Sequence, residues 1–423
     1  MKKLLKKVIR KKLITLSASA IVLSTTLSFS QTTNAYWIKK SDPPFEARWG
    51  AVSFSIGDKG YVGSGYANGS SLADFYAYNQ ATDSWKQVAS LPDDSRRYAA
   101  STFTIGDKGY VCFGIKSGTP FLTDIWEYDP LNDTWTKKAD FPGTPRYGAA
   151  AFSIGGKGYV VCGNTGTASG PYTSEVWEFD PIANTWTKKN DFPGSSRYGF
   201  TQAAVVMGGK AYLGGAGGND VYTNDFYEYD ALTDTWTKKA DIPFGGAGYA
   251  SAFKSCNRYI LGVGNQGPSK LLDTFWEYNP TTNTWSQTSD LAGGKRDLAV
   301  SLSINGKGYC GTGRVDATNS YDDWWEFNCG CEVTSIAKDY PATNKSSLAP
   351  TIFKDFTTVT VANEVLINNG KLRIFDPLGR VIKEETLNSN NFRIYKENMS
   401  QGSYLYEIWN DDKVVGYGKF IVQ

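Results

Sequence analysis

From residue 36 onward the chain alternates apolar and polar positions in short runs, each bounded by Gly, Asn, Asp, Ser or Pro. Period-two alternation over so few residues predicts strands rather than helices, and the bounding residues predict tight turns. The runs recur as a set, clearest in DTWTKKADFPGTPRYGAAAFSIGGKGYVVCG at 133–163. Its tryptophan, Trp135, has counterparts at Trp37, Trp85, Trp186, Trp236 and Trp285, in steps of 48, 50, 51, 50 and 49 residues. A period near 50 predicts the blades of a β-propeller.

Each unit reads as four strands. Strand a runs from Arg-Tyr-Gly through an apolar stretch. Strand b follows Gly-Lys-Gly, with its tyrosine at Tyr61, Tyr110, Tyr159, Tyr212, Tyr259 and Tyr309. Strand c centres on Tyr76, Trp126, Trp177, Tyr227, Trp276 and Trp325, and strand d carries the repeating tryptophan. Turns such as DPLNDTW and NPTTNTW join c to d, with proline presetting φ and an Asx side chain capping the bend. Six a-b-c sets follow residue 48, but only five tryptophan-bearing d strands follow them. Tyr36 to Lys40 form a d strand without a blade of their own, so the expected closure places them on the outer edge of the last blade. The result is an all-β, six-bladed ring in which the six tryptophans are structural.

The small residues ending strand b (Gly214-Gly215, Gly311-Thr312-Gly313), the Tyr/Trp of strand c and the Trp of strand d resemble kelch repeats across 36–328. Cys112-Phe113-Gly114 and Cys162-Gly163 depart from the double glycine, so the blades are not equivalent. After Phe327, Cys329-Gly330-Cys331 and a Ser/Thr/Pro/Lys-rich stretch predict a linker. Short alternating runs over 351–423 predict a small Ig-like β-sandwich. There KLRIFDPLGRVIKEETL, QGSYLYEIW and the terminal KFIVQ resemble the type A C-terminal sorting domain of the type IX secretion system of Bacteroidota, with the upstream Pro-Asn-Pro reduced to Pro350. That resemblance implies an address read by the secretion machinery at the outer membrane. The expected organisation is a signal peptide at 1–35, the kelch propeller at 36–331, a linker at 332–350 and the sorting sandwich at 351–423.

Charge changes this picture at one place. The formal net charge of +2 conceals seven Lys and Arg, and no acid, in residues 1–35; the rest of the chain balances to −5. Lys2 to Lys12 followed by LITLSASAIVLSTTLSFS and QTTNA predicts a signal peptide cleaved after Ala35, export through the inner membrane, and no membrane-spanning segment in the mature chain. The acidic remainder gives no electrostatic support to nucleic-acid binding. The exported protein is expected to be secreted or attached to the outer surface.

The chain contains no histidine. Ser-His-Asp and Cys-His catalysis and histidine-ligated copper, zinc and non-haem iron are thereby excluded, including the chemistry of copper radical oxidases similar to galactose oxidase, which share kelch propellers. No cofactor, metal or catalytic residue is expected. The reading is a binding or interaction module for a glycan or a protein. The kelch resemblance also implies an alternative, a sugar mutarotase or epimerase similar to sialic-acid mutarotases, with Asp297 as a carboxylate at the mouth.

Strand a is innermost in a propeller, so its first residues ring one mouth of the channel. Arg48, Arg97, Arg146, Arg197 and Arg296 stand there, either as a cationic funnel or as braces between loops. Blade five reads Gly248-Tyr249 at this position, and blade six Arg296-Asp297. The b-to-c loops on the same face differ in every blade and carry Tyr66, Phe121, Tyr172 and Tyr222 among small polar residues, a composition suited to binding. Glu127, Glu178, Glu228, Glu277 and Glu326 recur on strand c and read as scaffold. Six cysteines leave the pairing open. The roughly 10 Å spacing of stacked sheets disfavours a bridge from Cys112 to Cys162, while Cys329 and Cys331 read as pairing elsewhere or with each other.

Overall fold

The computed structural model describes residues 35–423 apart from 118–120, 168–169, 200–202, 219–220, 268–269, 317, 330–345, 363–366, 368–369, 376–380, 398, 400–401 and 411–412. The signal-peptide reading and Cys331 therefore lie outside the described residues. The described chain is all-β, with six four-stranded antiparallel sheets as propeller blades and a C-terminal β-domain. Blade 1 comprises Val52–Ile56, Lys59–Gly63, Phe75–Asn79 and Ser84–Val88. Blades 2 to 5 repeat this order, their a strands starting at Ser101, Ala150, Val205 and Ser251. Blade 6 has Val300–Ile304, Lys307–Gly311 and Trp324–Asn328, and its fourth strand is Tyr36–Lys39. Trp37 lies opposite Phe327 in that pairing. The ring thus closes as the strand count requires.

The seams between blades explain the tryptophan period. Each d-strand indole packs on aromatic rings of the blade next to it; Trp135, for example, lies 4.9 Å from Phe75 of blade 1. Each Nε1 donates to a backbone carbonyl of that neighbour: Trp85 to Ser41, Trp135 to Ala89, Trp186 to Ala139, Trp236 to Asn190, Trp285 to Ala240 and Trp37 to Ser289. At five seams the same neighbour residue returns a bond, its N–H donating to the c-to-d turn residue Asp83, Asp133, Asn184, Asp234 or Asn283. Those Asx residues all have positive φ, a conformation they tolerate better than most. At the sixth seam, where Trp37 opens the described chain, Ser289 Oγ donates to the Ala35 carbonyl instead.

The small residues that follow strand b also act between blades. Gly65, Gly114, Gly163, Ala216, Gly264 and Gly313 end the b strands at φ of 65 to 115°, and each N–H donates to the residue opening strand a of the next blade. The blade-five acceptor is Ala247, the counterpart of Arg97 and Arg146. Gly248 is therefore the counterpart of Tyr98 and Tyr147, and the expectation that aligned Tyr249 with those tyrosines is one residue out. A similar slip affects Tyr259. Tyr110 pairs across to Glu127, but in blade 5 it is Ile260 that faces Glu277, and buried Tyr259 donates to the Ala203 carbonyl.

Cys256, in the a-to-b turn of blade 5, is disulfide-bonded to Cys329 just after the last strand of blade 6, with Cα atoms 6.4 Å apart. The bridge closes a 73-residue separation, a span at which a cross-link stabilises by about 4 kcal/mol in the chain-entropy view. Cys112, Cys162 and Cys310 are buried free thiols. Burial pushes Cys162 and Cys310 up to about 12, which leaves them inert.

The C-terminal domain has a three-stranded sheet (Ser346–Ala349, Phe356–Val361, Asn391–Tyr395) and a five-stranded sheet. Val359, Val361, Leu372, Ile374, Ile394, Ile408, Phe420 and Val422 form its core. Ser346–Ala349, expected as linker, is a strand paired with Phe356–Val361.

Trp37→Ala should lower unfolding stability by about 3–5 kcal/mol, read by urea unfolding of the full chain. A loss within the scatter of a conservative surface change would contradict closure through Tyr36–Lys39.

Candidate functional site at the propeller mouth

Six residues, Gly50, Ala99, Gly148, Gly199, Tyr249 and Leu298, stand where the a strands meet the channel. Each has positive φ, and each N–H donates to the carbonyl of the one before it around the ring, in a closed cycle of 2.7–3.2 Å. Glycine adopts this backbone freely, whereas Tyr249 and Leu298 do so under strain that the closed cycle holds in place.

Just outside this cycle stand the five arginines, and the structure corrects their proposed role as a cationic funnel. Each is at most 1% exposed. Arg97 donates through Nη1 and Nη2 to the two carboxylate oxygens of Asp124 at 3.0 and 2.7 Å, through Nη1 to the Phe113 carbonyl, and through Nε to the Ser95 carbonyl. Arg48 with Asp74, Arg197 with Asp225 and Arg296 with Asp323 repeat the two-pronged pairing, and Arg146 donates to Glu175 at 2.7 Å. The guanidinium is a fork of fixed geometry, so one side chain fixes three chain segments at once. These arginines are braces. Blade 5 has neither partner: Ala247 replaces the arginine and Thr274 the carboxylate, and Gln266 Nε2 donates to the Gly246 and Phe244 carbonyls of the loop instead. The strand-c glutamates are likewise engaged, accepting from Tyr110, Tyr159, Tyr212 and Tyr309.

The aromatic residues do reach the mouth. Trp49 and Tyr98 pack with Tyr66 at 4.9 and 5.1 Å. Phe121 packs edge-on against Tyr147, and Tyr172 stacks on Tyr198 at 4.9 Å and 11°. Tyr66, Phe121, Tyr172 and Tyr222 are all half-buried. Tyr66, Tyr172 and Tyr222 sit on short hairpins, Tyr66–Ala67 with Ser70–Ser71, Asn164–Thr167 with Gly170–Tyr172, and Gly217–Gly218 with Val221–Tyr222. Burial, then neighbouring tyrosine hydroxyls, hold Tyr147 and Tyr249 above their usual range, so both remain neutral.

Asp297 is buried. Its carboxylate accepts from Arg314 Nε at 3.0 Å, from Arg314 Nη2 at 2.7 Å and from Asn265 Nδ2 at 2.5 Å. The Arg314 guanidinium lies 5.5 Å from the Trp49 ring. Asp297, Arg314, Asn265 and Tyr222 line a cavity of about 320 Å³. Arg314 and Asn265 escaped the sequence reading. Both are the first residue after the strand-b glycine, a repeat position held elsewhere by Tyr66, Ile115, Asn164 and Gly217. An Asp and an Arg appearing together across that pair of positions in one blade was the available signal. Among the described residues no group of three or more Cys, Asp and Glu is placed to hold a metal ion.

Comparison with known proteins agrees with this architecture. Residues 145–193 match the kelch motif, and residues 350–423 match the secretion system C-terminal sorting domain. The chain thus carries a kelch motif and a C-terminal secretion sorting domain. No curated protein matches the sequence. A solved structure described as "Structure of YjhT" is similar over 67% of this chain and 96% of its own, with a TM-score of 0.58 and 20% identity, a likeness of fold alone. Kelch signatures are thus met by residues of the seams and of the ring around the channel, none of which names a ligand.

The braces make the kelch ring acid-sensitive. Burial alone would raise the Glu175 carboxyl, but bonds from Arg146, Trp177 and Lys188 outweigh it and hold the group at about 2, against its ordinary 4.5. A folded-state value below the unfolded one contributes stability that is present above 4.5 and is lost as pH falls toward 2. The melting temperature of Glu175→Gln should therefore fall less steeply than wild type between these values. Parallel curves for the two proteins would contradict the assignment.

Proposed function

We propose that this kelch protein is a secreted or surface-displayed binding module that engages a glycan or protein ligand at the mouth carrying the b-to-c loops. The observation that carries the reading is the contrast between a scaffold repeated around the ring and a rim where each blade differs, furnished with half-buried Tyr66, Phe121, Tyr172 and Tyr222. Aromatic rings held rigidly beside small polar residues provide contact area at low entropic cost, as binding surfaces do. The sorting domain implies delivery to the outside or the outer surface, and we assign the inner-membrane step to residues 1–35. No helix among the described residues is long and apolar enough to cross a membrane. The alternative of a sugar mutarotase has less support, because both oxygens of Asp297 already accept hydrogen bonds from Arg314 and Asn265, which leaves this carboxylate poorly placed to move a proton.

In a host with type IX secretion, wild type should reach the cell surface or medium and a chain ending at residue 349 should remain in the periplasm. Export of the truncated chain would contradict the delivery step. On glycan and protein arrays, Tyr172→Ala combined with Tyr66→Ala should weaken wild-type binding while urea unfolding stays cooperative, with a loss of about 1–3 kcal/mol from the two sets of ring contacts. Binding unaffected by the pair would move the ligand face elsewhere.

A further inference from the structure

The rim has one place where a buried acceptor waits for a partner. Asn265 is 7% exposed, and its Nδ2 donates to Asp297 at 2.5 Å. Its Oδ1 is buried and, among the described residues, has no hydrogen-bond partner. The amide cannot be turned to relieve this, since the flip would set Oδ1 against the Asp297 carboxylate. Asn164 holds the same repeat position in blade 3 and supplies an internal control: there Oδ1 accepts from the Gly166 N–H at 2.8 Å. A buried acceptor without a partner has lost its solvation for no return, so a group that donates to it has an advantage over one that cannot.

The residue paired with Asn265 differs from its counterparts in the earlier blades. Blades 1 to 4 place Trp49, Tyr98, Tyr147 and Tyr198 at the position that blade 5 gives to Gly248. A Cβ on Gly248 would come within 2.9 Å of the Tyr222 ring and 3.6 Å of Asn265 Oδ1. The glycine instead admits the Tyr222 ring, and beside that ring a cavity of about 320 Å³ is lined by Tyr222, Leu271, Asn265, Asp297 and Arg314. That volume is at the lower end of the range for small-ligand sites, roughly 300–1,000 Å³.

The wall chemistry selects the ligand class. Asn265 Oδ1 takes a donor. Arg314 is 32% exposed and retains N–H groups beyond the two that it gives to Asp297, so it serves an acceptor. The lining sets two carboxylates, Asp297 and Asp316, against one guanidinium, leaving one net negative charge, and Asn319 followed by Thr318 holds Asp316 well below the usual carboxylate range, hence charged. The guanidinium is already matched by Asp297, so an anionic ligand finds no uncompensated cation here. We infer that this cavity at the junction of blades 5 and 6 binds one uncharged sugar ring, with a hydroxyl donating to Asn265 Oδ1, a ring or hydroxyl oxygen accepting from Arg314, and the C–H face of the ring against Tyr222. The inference rests on the mouth being the ligand face and narrows it to one pocket and one charge class.

The full chain is titrated with D-glucose, D-galactose, D-mannose and N-acetyl-D-glucosamine at millimolar concentrations by saturation-transfer NMR and calorimetry, with N-acetylneuraminic acid as the acidic control. At least one neutral sugar should bind, more tightly than the acidic one. Asn265→Ala should weaken that binding about tenfold, equivalent to one hydrogen bond. Leu271→Trp, which fills the cavity and leaves its polar groups in place, should abolish it with little change in melting temperature. The inference is overturned if no neutral sugar binds, if N-acetylneuraminic acid binds more tightly, or if a neutral sugar binds wild type and Leu271→Trp equally. In that last case the binding-module reading survives, and array binding that persists in Leu271→Trp would separate the two.

Discussion

A single buried guanidinium pins the mouth end of five of the six blades. In each it reaches the loop arriving from strand d, the end of strand b and the carboxylate before strand c, so the geometry of the rim follows from one side chain per blade. Removing a charged pair from water is costly, and the pair holds only because a bidentate fork and two carbonyls satisfy the arginine. Neither partner is tolerable alone. Blade 5 accordingly lacks both, with Ala247 and Thr274 in their places, and there the rim is differently built: Gly248 in place of an aromatic ring, Gln266 fastening the loop, and a cavity next to Asp297.

These braces act on a ring already closed by other means. The indole of each d strand joins its blade to the neighbour, and the strand that completes the last blade comes from the opposite end of the described propeller. The disulfide between Cys256 and Cys329 ties the a-to-b turn of blade 5 to the segment leaving blade 6, a covalent link between the last two blades at the end away from the b-to-c loops. A rigid, closed ring allows the loops above it to vary independently, since a change in one b-to-c loop does not alter the strand register below.

Much of this architecture was legible in the residues. Trp37 without a blade and Trp325 without a following d strand fix the closure, because unpaired strand edges are unfavourable and only one assignment removes both. The role of the arginines was not legible, since a column of arginine looks the same whether it faces solvent or a carboxylate 26 to 29 residues further on. Blade 5 was misaligned for a physical reason: Gly248-Tyr249 resembles the Tyr-Gly order of its neighbours with the two residues exchanged, and hydrophobic periodicity cannot detect a slip of one residue at a strand end. Ser346–Ala349 was missed because its Ser-rich composition matches a linker, and its strand conformation depends on pairing with Phe356–Val361.

The buried pairs are scaffold, exchangeable only as a unit. A double-mutant cycle on blade 2, comparing Arg97→Ala, Asp124→Thr and the two together by urea unfolding, tests this most directly, because the double variant reproduces the natural state of blade 5. Loss of the arginine alone should cost about 3–5 kcal/mol by leaving Asp124 unpaired among buried groups, and the double variant should be more stable than that single one. Costs that simply add would mean no coupling between the partners, and would contradict the claim that each guanidinium and its carboxylate act as one brace.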